Sequence, residues 1–427
     1  MKSHASLAVL SLLALCSLGA ARNGPARNAI LFIGDGMAIS TLTAARIHGP
    51  GPGGKLALEL PHVALVRTYS LDRLVNDSAA SATAILAGER VRMGVIGMSP
   101  ETKRACSLPR RPDGSPNPVH PCVPAAVPIP SLAELAAQAG MAVGVVTNTR
   151  ITHATPAALY AHVDERELES EIAAQLVAQR VLSFVVGGGR RFFSPYDLSG
   201  RLRAQGVTYV VTGAALEAAV QAKAERIVAL LAPDHFAYTV DQPSEGEAHT
   251  LPSLAKLTEL AVRQLSRNES GYFLLVEGGR IDHAQHENRA RAALQELLAF
   301  DQAVAVARRA TDEKDTLILV TSDHGSPLVI AGYPLVGDSI LGAARGLGIE
   351  RQDEDGDGLP DYLRTADGNP MNTLLFANGP RSALQLLLAT HEGSDVVASA
   401  RGPGAEQVHG FLDQVELFRV LRSALGL

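Results

Sequence analysis

Ala29-Ile30-Leu31-Phe32-Ile33-Gly34-Asp35 is an apolar run that stops at a small residue and delivers a carboxylate. The construction recurs twice. Phe273-Leu274-Leu275-Val276 runs into Glu277, with Asp282 and His286 just behind it, and Thr316-Leu317-Ile318-Leu319-Val320-Thr321-Ser322 runs into Asp323-His324. Short unbroken apolar runs read as strands buried on both faces. Ligands of an open α/β sheet bind beyond the carboxyl ends of its strands, so these acids should meet in space. Carboxylates mixed with imidazoles suit zinc and magnesium. Asp77-Ser78 opens an alanine-rich run and sets a hydroxyl beside an acid at a predicted helix N-terminus. Unpaired N–H groups and the positive dipole end favour a phosphate there, and a serine whose hydroxyl is acidified by a metal can attack phosphorus. Together these features read as a metal-assisted phosphoryl-transfer site.

Working outward, strand-like and helix-like segments alternate: 29–33 then 39–47, 141–147 then the region after Glu165, 254–265 before the Phe273 run, and 290–310 before the Thr316 run. Residues 181–186 read as a strand ending in Gly187-Gly188-Gly189, a glycine run taken as a turn rather than a phosphate loop. The rhythm predicts an α/β fold with a mostly parallel sheet covered on both faces. Two stretches interrupt it. Residues 99–130 are proline-rich and carry Cys106 and Cys122, and residues from about 333 to 372 read as a loop-rich insertion. Asp282 and His286 stand four apart, on one face of a helix, and can reach one zinc. Thr147-Asn148-Thr149-Arg150-Ile151-Thr152-His153-Ala154-Thr155-Pro156 follows a strand and adds hydroxyls and an imidazole.

Hydrophobic residues at 46% against 19% charged describe a globular chain with a large core, and a net charge of −6 without a basic stripe argues against nucleic acid as the main partner. Lys2 precedes an apolar run that ends near Gly19-Ala20-Ala21, so residues 1–21 read as a signal peptide and 22–427 as the mature domain. The run is short for a membrane span and no later stretch replaces it, so the expectation is a secreted or periplasmic protein. Leu15 stands where a small residue is wanted before a lipidated cysteine, which disfavours lipidation at Cys16, and no apolar tail signals a GPI anchor. Cys106 and Cys122, an even pair in an oxidising compartment, read as a disulfide.

Residues 28–47, 75–88, 145–163, 276–286, 321–324 and 391–414 resemble, in order, the signature blocks of alkaline phosphatases. The resemblance implies a three-layer sandwich around a central, mostly parallel β-sheet, and hydrolysis of phosphate monoesters through a phosphoserine with two zincs and one magnesium per chain. It implies Ser78 as nucleophile and Arg166 as the phosphate-binding arginine. Asp282, His286 and His391 match the ligands of one zinc; Asp35, Asp323 and His324 match those of the second. Asp35, Thr155 and Glu277 match the magnesium ligands, with His153 in or near that shell. A homodimer is implied as well. The chain departs from the pattern at Ser326, where many relatives have a second histidine, and at Ala38, where glycine is usual. His153 and His283 stand where some relatives have an acid and a lysine, a version that resembles members whose third site is less strictly magnesium.

Outside the shared blocks, Asp353, Asp355, Asp357 and Asp361 alternate with glycines and Glu354 in a stretch that can wrap calcium. The alternatives to a monoesterase are a diesterase or sulfatase-like relative, or a catalytically silent metal- or phosphate-binding protein. Retention of Ser78, Arg166 and every zinc position disfavours silence.

Overall fold

The computed structural model describes residues 25–104, 126–243, 251–330, 335–342, 367–368, 374–376 and 389–427. The leader, the pair Cys106 and Cys122, the acidic stretch 353–361 and most of the insertion lie outside them.

Among the described residues, ten strands form one sheet: β1 (Asn28–Gly34), β2 (His62–Arg67), β3 (Ala142–Arg150), β4 (Phe184–Gly188), β5 (Thr208–Val210), β6 (Ile227–Leu230), β7 (Tyr272–Gly278), β8 (Thr316–Thr321), β11 (Val396–Arg401) and β12 (Gly410–Asp413). A separate two-stranded antiparallel sheet joins β9 (Leu328–Ile330) to β10 (Leu374–Phe376). The main order is β12-β2-β11-β8-β1-β7-β3-β4-β6-β5, parallel throughout except for β11, which runs antiparallel to both β2 and β8. This is the α/β sandwich expected from the strand–helix rhythm.

Alternation along the central strands builds two apolar layers. Ala29, Leu31 and Ile33 of β1 face one side, and Ile30 and Phe32 the other. Phe273 and Leu275 of β7, and Leu317 and Leu319 of β8, continue the first layer. Every residue of β1, β7 and β8 is buried, as a parallel sheet covered by helices requires. The first layer is roofed by α2 (Ser78–Ala87), α3 (Leu132–Gln138), α5 (Glu169–Ala178), α6 (Leu198–Ala204) and α11 (Gln414–Leu425), and the second by α1 (Ile39–His48), α7 (Gly213–Gln221), α8 (Leu254–Leu265) and α10 (Ala290–Ala310). Two short helices, α4 (Ala154–Ala157) and α9 (Arg280–His286), follow β3 and β7 at their carboxyl ends.

Helices α8 and α10 span the residues that the sequence pattern assigns to them. Strand β4 starts later than Val181, at Phe184, and takes in Gly187 and Gly188; Gly189 turns the chain at φ 88°. Gly188 sits so close to the next loop that a Cβ would lie 1.9 Å from the Asp234 carbonyl oxygen, which accounts for a glycine there without any phosphate.

Candidate active site

The strands that carry the site are neighbours: β8, β1, β7 and β3. Their register aligns Thr321, Ile33, Glu277 and Thr147 in one row, so Asp35, Ser322-Asp323-His324 and α9 all begin just beyond a common edge. Alpha-helix α2 arrives there too. Asp77 is its N-cap, its carboxylate accepting from the Ala80 N–H at 3.1 Å, and Ser78 is its first residue. All ten residues of α2 are buried, which its alanines and serines allow by letting the helix settle close to its neighbours.

Ser78 Oγ lies 3.3 Å from His324 Nε2 and 3.5 Å from Asp35 Oδ2. His324 Nε2 is in turn 3.4 Å from Asp35 Oδ1 and 3.3 Å from Asp323 Oδ2. A second group adjoins it: His286 Nε2 is 3.1 Å from Asp282 Oδ2 and 3.0 Å from His391 Nε2, and the His391 ring stacks on that of His324 at 3.6 Å. The far nitrogen of each ring meets a carbonyl: His286 Nδ1 is 2.6 Å from Ala389 O, His391 Nδ1 2.8 Å from Asn76 O, and His324 Nδ1 3.3 Å from Gly325 O. Each Nδ1 therefore donates its hydrogen and turns the Nε2 lone pair inward, the arrangement usual for metal-ligating histidines.

The third group surrounds Glu277. Its Oε2 accepts from the hydroxyls of Thr147 and, at 2.9 Å, Thr149. Its Oε1, together with His153 Nδ1, Thr155 Oγ1, Asp35 Oδ1 and Asp323 Oδ2, is buried without a hydrogen-bond partner among the described residues. Unpaired buried polar atoms are rare in folded proteins, and so many at one place fit bound cations. Among the described residues, three overlapping sets can each hold a metal ion: Asp282, His324 and His391; Asp35, Asp323 and His324; and Asp35, His153 and Glu277. These sets take in seven of the nine ligand positions expected from the sequence: Asp35, His153, Glu277, Asp282, Asp323, His324 and His391. His286 joins the first set through its contacts with Asp282 and His391, and Thr155, on α4, offers a buried hydroxyl oxygen without a partner among the described residues.

Burial and the facing carboxylates, Asp323 first, push the Asp35 carboxyl well above the usual range. Burial likewise raises Asp323 to about 6 and lowers His324 to about 4. His391 falls to about 4 through burial and the neighbouring His324. Burial opposes a charge on His286 too, but Asp282 outweighs it and lifts His286 to about 9. Arg166 closes the far side, donating from Nη1 to Asp77 Oδ2 at 3.1 Å and from Nη2 to His153 Nε2 at 3.0 Å.

Ser326 donates to Asp282 Oδ1 at 3.0 Å, so the residue that replaces a histidine supports the Asp282 set rather than the Asp35 set. His235 is a neighbour that sequence reasoning missed: its ring packs 4.4 Å from His283 and 5.7 Å from His153. It lies in a loop after β6 directly behind Asp234, a strand-end Asp-His pair like Asp323-His324, but spacing alone does not bring it to His153 and His283. Gln414 was missed as a supporting residue; it is fully buried and donates its amide to the Asp323 carbonyl.

A sequence model of the alkaline phosphatase family matches residues 26–427. The tissue-nonspecific alkaline phosphatase of Mus musculus is 32% identical over 91% of this chain and 82% of its own. The alkaline phosphatase of the Antarctic bacterium TAB5 superposes with a TM-score of 0.71 at 25% identity, over 94% of this chain and 98% of that one. It has also been solved as a histidine-to-aspartate mutant with magnesium bound in its M3 site. The Thermus thermophilus alkaline phosphatase gives 0.71 at 26% identity, over 98% and 96%. With this sheet, these converging metal-binding sets and these relatives, the chain belongs to the alkaline phosphatase family, the metal-dependent hydrolases of phosphate monoesters.

Proposed function

We propose that Ser78 is the nucleophile of this phosphatase, that Asp282, His286 and His391 hold one zinc and Asp35, Asp323 and His324 a second, and that Asp35, Thr155 and Glu277 hold magnesium with His153 at its edge. The observation that carries the reading is the seat of Ser78 Oγ, within 3.5 Å of both Asp35 and His324 among buried atoms that lack partners. When bound, the ions supply positive charge that acidifies a hydroxyl and offsets charge on a departing oxygen. Ser78 Oγ forms a bond to phosphorus as the ester P–O bond breaks, and the alcohol leaves with a proton. Water then attacks the phosphoserine, releasing phosphate and restoring the Ser78 hydroxyl. Arg166 contributes a planar pair of donors to the non-bridging oxygens. The N-terminus of α2 adds its unpaired N–H groups to the phosphate.

His153 supports a third site that takes magnesium weakly. The TAB5 mutant that carries aspartate for a histidine, with magnesium in M3, points the same way. His153→Asp should accordingly tighten magnesium binding, read by titration of the zinc-loaded protein. We take the protein to be exported after loss of residues 1–21, with 22–427 as one catalytic unit interrupted by the insertion, and to act as a homodimer. Calcium in the Asp353–Asp361 stretch and a Cys106–Cys122 bridge complete the reading. The experiment that tests its core is a chromogenic monoester assay on chelated protein, with zinc and then magnesium restored. Zinc should be required for turnover, and activity in protein shown by elemental analysis to be metal-free would overturn the assignment.

A further inference from the structure

Helix α9 begins without a cap of its own. Backbone N–H groups at a helix start lack intrahelical partners, and Gly279, at the cap position, has no side chain to meet them. It has no room for one: a Cβ would lie 2.2 Å from Thr149 Cγ2 and 3.1 Å from Glu277 Oε1. The cap comes from β3 instead. Asn148 Oδ1 accepts from the Gly279 N–H at 2.9 Å and the Arg280 N–H at 3.2 Å. Its amide nitrogen donates to Glu296 Oε2 on α10 at 2.9 Å, and Glu296 Oε1 accepts from the Thr239 N–H. Backbone donors on one side and a carboxylate on the other fix the amide in one orientation. Asn148 also lies between Thr147 and Thr149, whose hydroxyls hold Glu277. One tripeptide thus braces Glu277 and the helix that carries Asp282 and His286.

We propose that Asn148, backed by Glu296, is a positioning pair that sets α9 for metal binding, an inference that rests on Asp282 and His286 being ligands. Neither residue touches the reacting groups. Their effect passes through the start of α9, one turn before Asp282 completes its contacts with His286 and Ser326.

The polarity of the pair supplies the test. Asn148→Asp sets a carboxylate against the Glu296 carboxylate. Glu296→Gln turns an N–H against either the Asn148 amide or the Thr239 N–H. The double variant Asn148→Asp/Glu296→Gln restores a donor and an acceptor with their order reversed, and keeps an oxygen at the start of α9. Zinc affinity of the full-length variants is measured by competition with a chromogenic chelator, beside Tm, with Asp282→Ala as reference. Each single variant should lose about tenfold in zinc affinity, and the double variant should recover most of that loss. Unchanged affinity in both single variants, while Asp282→Ala loses a zinc, would overturn the positioning role and leave the ligand reading intact. Losses that follow Tm and are not recovered in the double variant would overturn it as well. Full zinc affinity in Asp282→Ala would instead overturn the ligand reading beneath it.

Discussion

Arg166 rests on Asp77 through one nitrogen and on His153 through the other, so its guanidinium stands ready beside the α2 N-terminus on which Ser78 sits. A monoester presents two non-bridging oxygens to such a fork while the reacting oxygens are held elsewhere; a diester has one of them esterified. Arg166→Ser should therefore lower monoester kcat/KM by at least about tenfold, or 1.4 kcal/mol, and diester kcat/KM much less. Both rates are to be measured on one preparation of known metal content, and equal losses would remove Arg166 from its role as the monoester clamp. At this scale the sequence was informative wherever a residue followed a strand or opened a helix. Asp35, Glu277 and Asp323-His324 stand at strand ends, and Asp282 and His286 share a helix face, so each could be placed by periodicity. His391 could be reached only through family resemblance, because its contact with His286 closes a separation of 105 residues. The contacts of Asn148 and His235 were not legible, although Asp234-His235 follows β6 as Asp323-His324 follows β8. Their partners are a helix start and an arginine brought near by sheet order, which spacing does not encode.

Among the elements, α3 ties a helix cap to a titrating pair. Ser131 and Glu134 form a capping box, and Glu134 also lies 3.2 Å from His162 Nε2. Burial opposes both charges, but the shared hydrogen bond prevails, holding Glu134 below the usual carboxylate value and His162 above the usual imidazole value. The Glu134 contribution is present above its unfolded pKa and fades as pH falls through its depressed one. The His162 contribution is complete below its unfolded pKa and fades as pH rises through its raised one. The pair thus stabilises most between the ordinary values of the two groups, by on the order of 0.5 kcal/mol given its partial exposure. Glu134→Gln keeps a capping side chain and should lower Tm more near about pH 6 than near about pH 9. An equal drop at both would show that the pair does not titrate. The long amphipathic helices α8 and α10 were legible because one apolar face repeats over several turns. Strand β11 was not. Its Val-Val-Ala-Ser-Ala-Arg has too little apolar pattern to mark a strand, and its antiparallel insertion between β8 and β2 is a property of the assembled sheet.

The whole molecule buries Asp35, Glu277, Asp282 and Asp323 together at the end of its sheet. Buried charge is costly unless compensated, so ions held there should stabilise the fold as well as serve the chemistry. Chelation should lower Tm while abolishing monoesterase activity, and zinc should restore both. A metal-free protein with unchanged Tm would mean that the acids are compensated within the chain. For the segment outside the described residues, the proposed bridge between Cys106 and Cys122 would close a loop of about fifteen residues, worth roughly 3 kcal/mol in the chain-entropy view. Thiol titration of the unfolded, unreduced mature protein should find no free cysteine, and two would refute the bridge. The central claim is that a serine at the α2 N-terminus, set among metal ligands, carries the phosphoryl group. It is tested most directly by quenching the metal-loaded enzyme with acid during turnover of a phosphate monoester and locating covalent phosphate by peptide mass mapping. The account predicts one phosphoryl group on Ser78, absent from Ser78→Ala, whose zinc content should stay near that of the wild type. Covalent phosphate on another residue, or Ser78→Ala turning over at the wild-type rate, would contradict it.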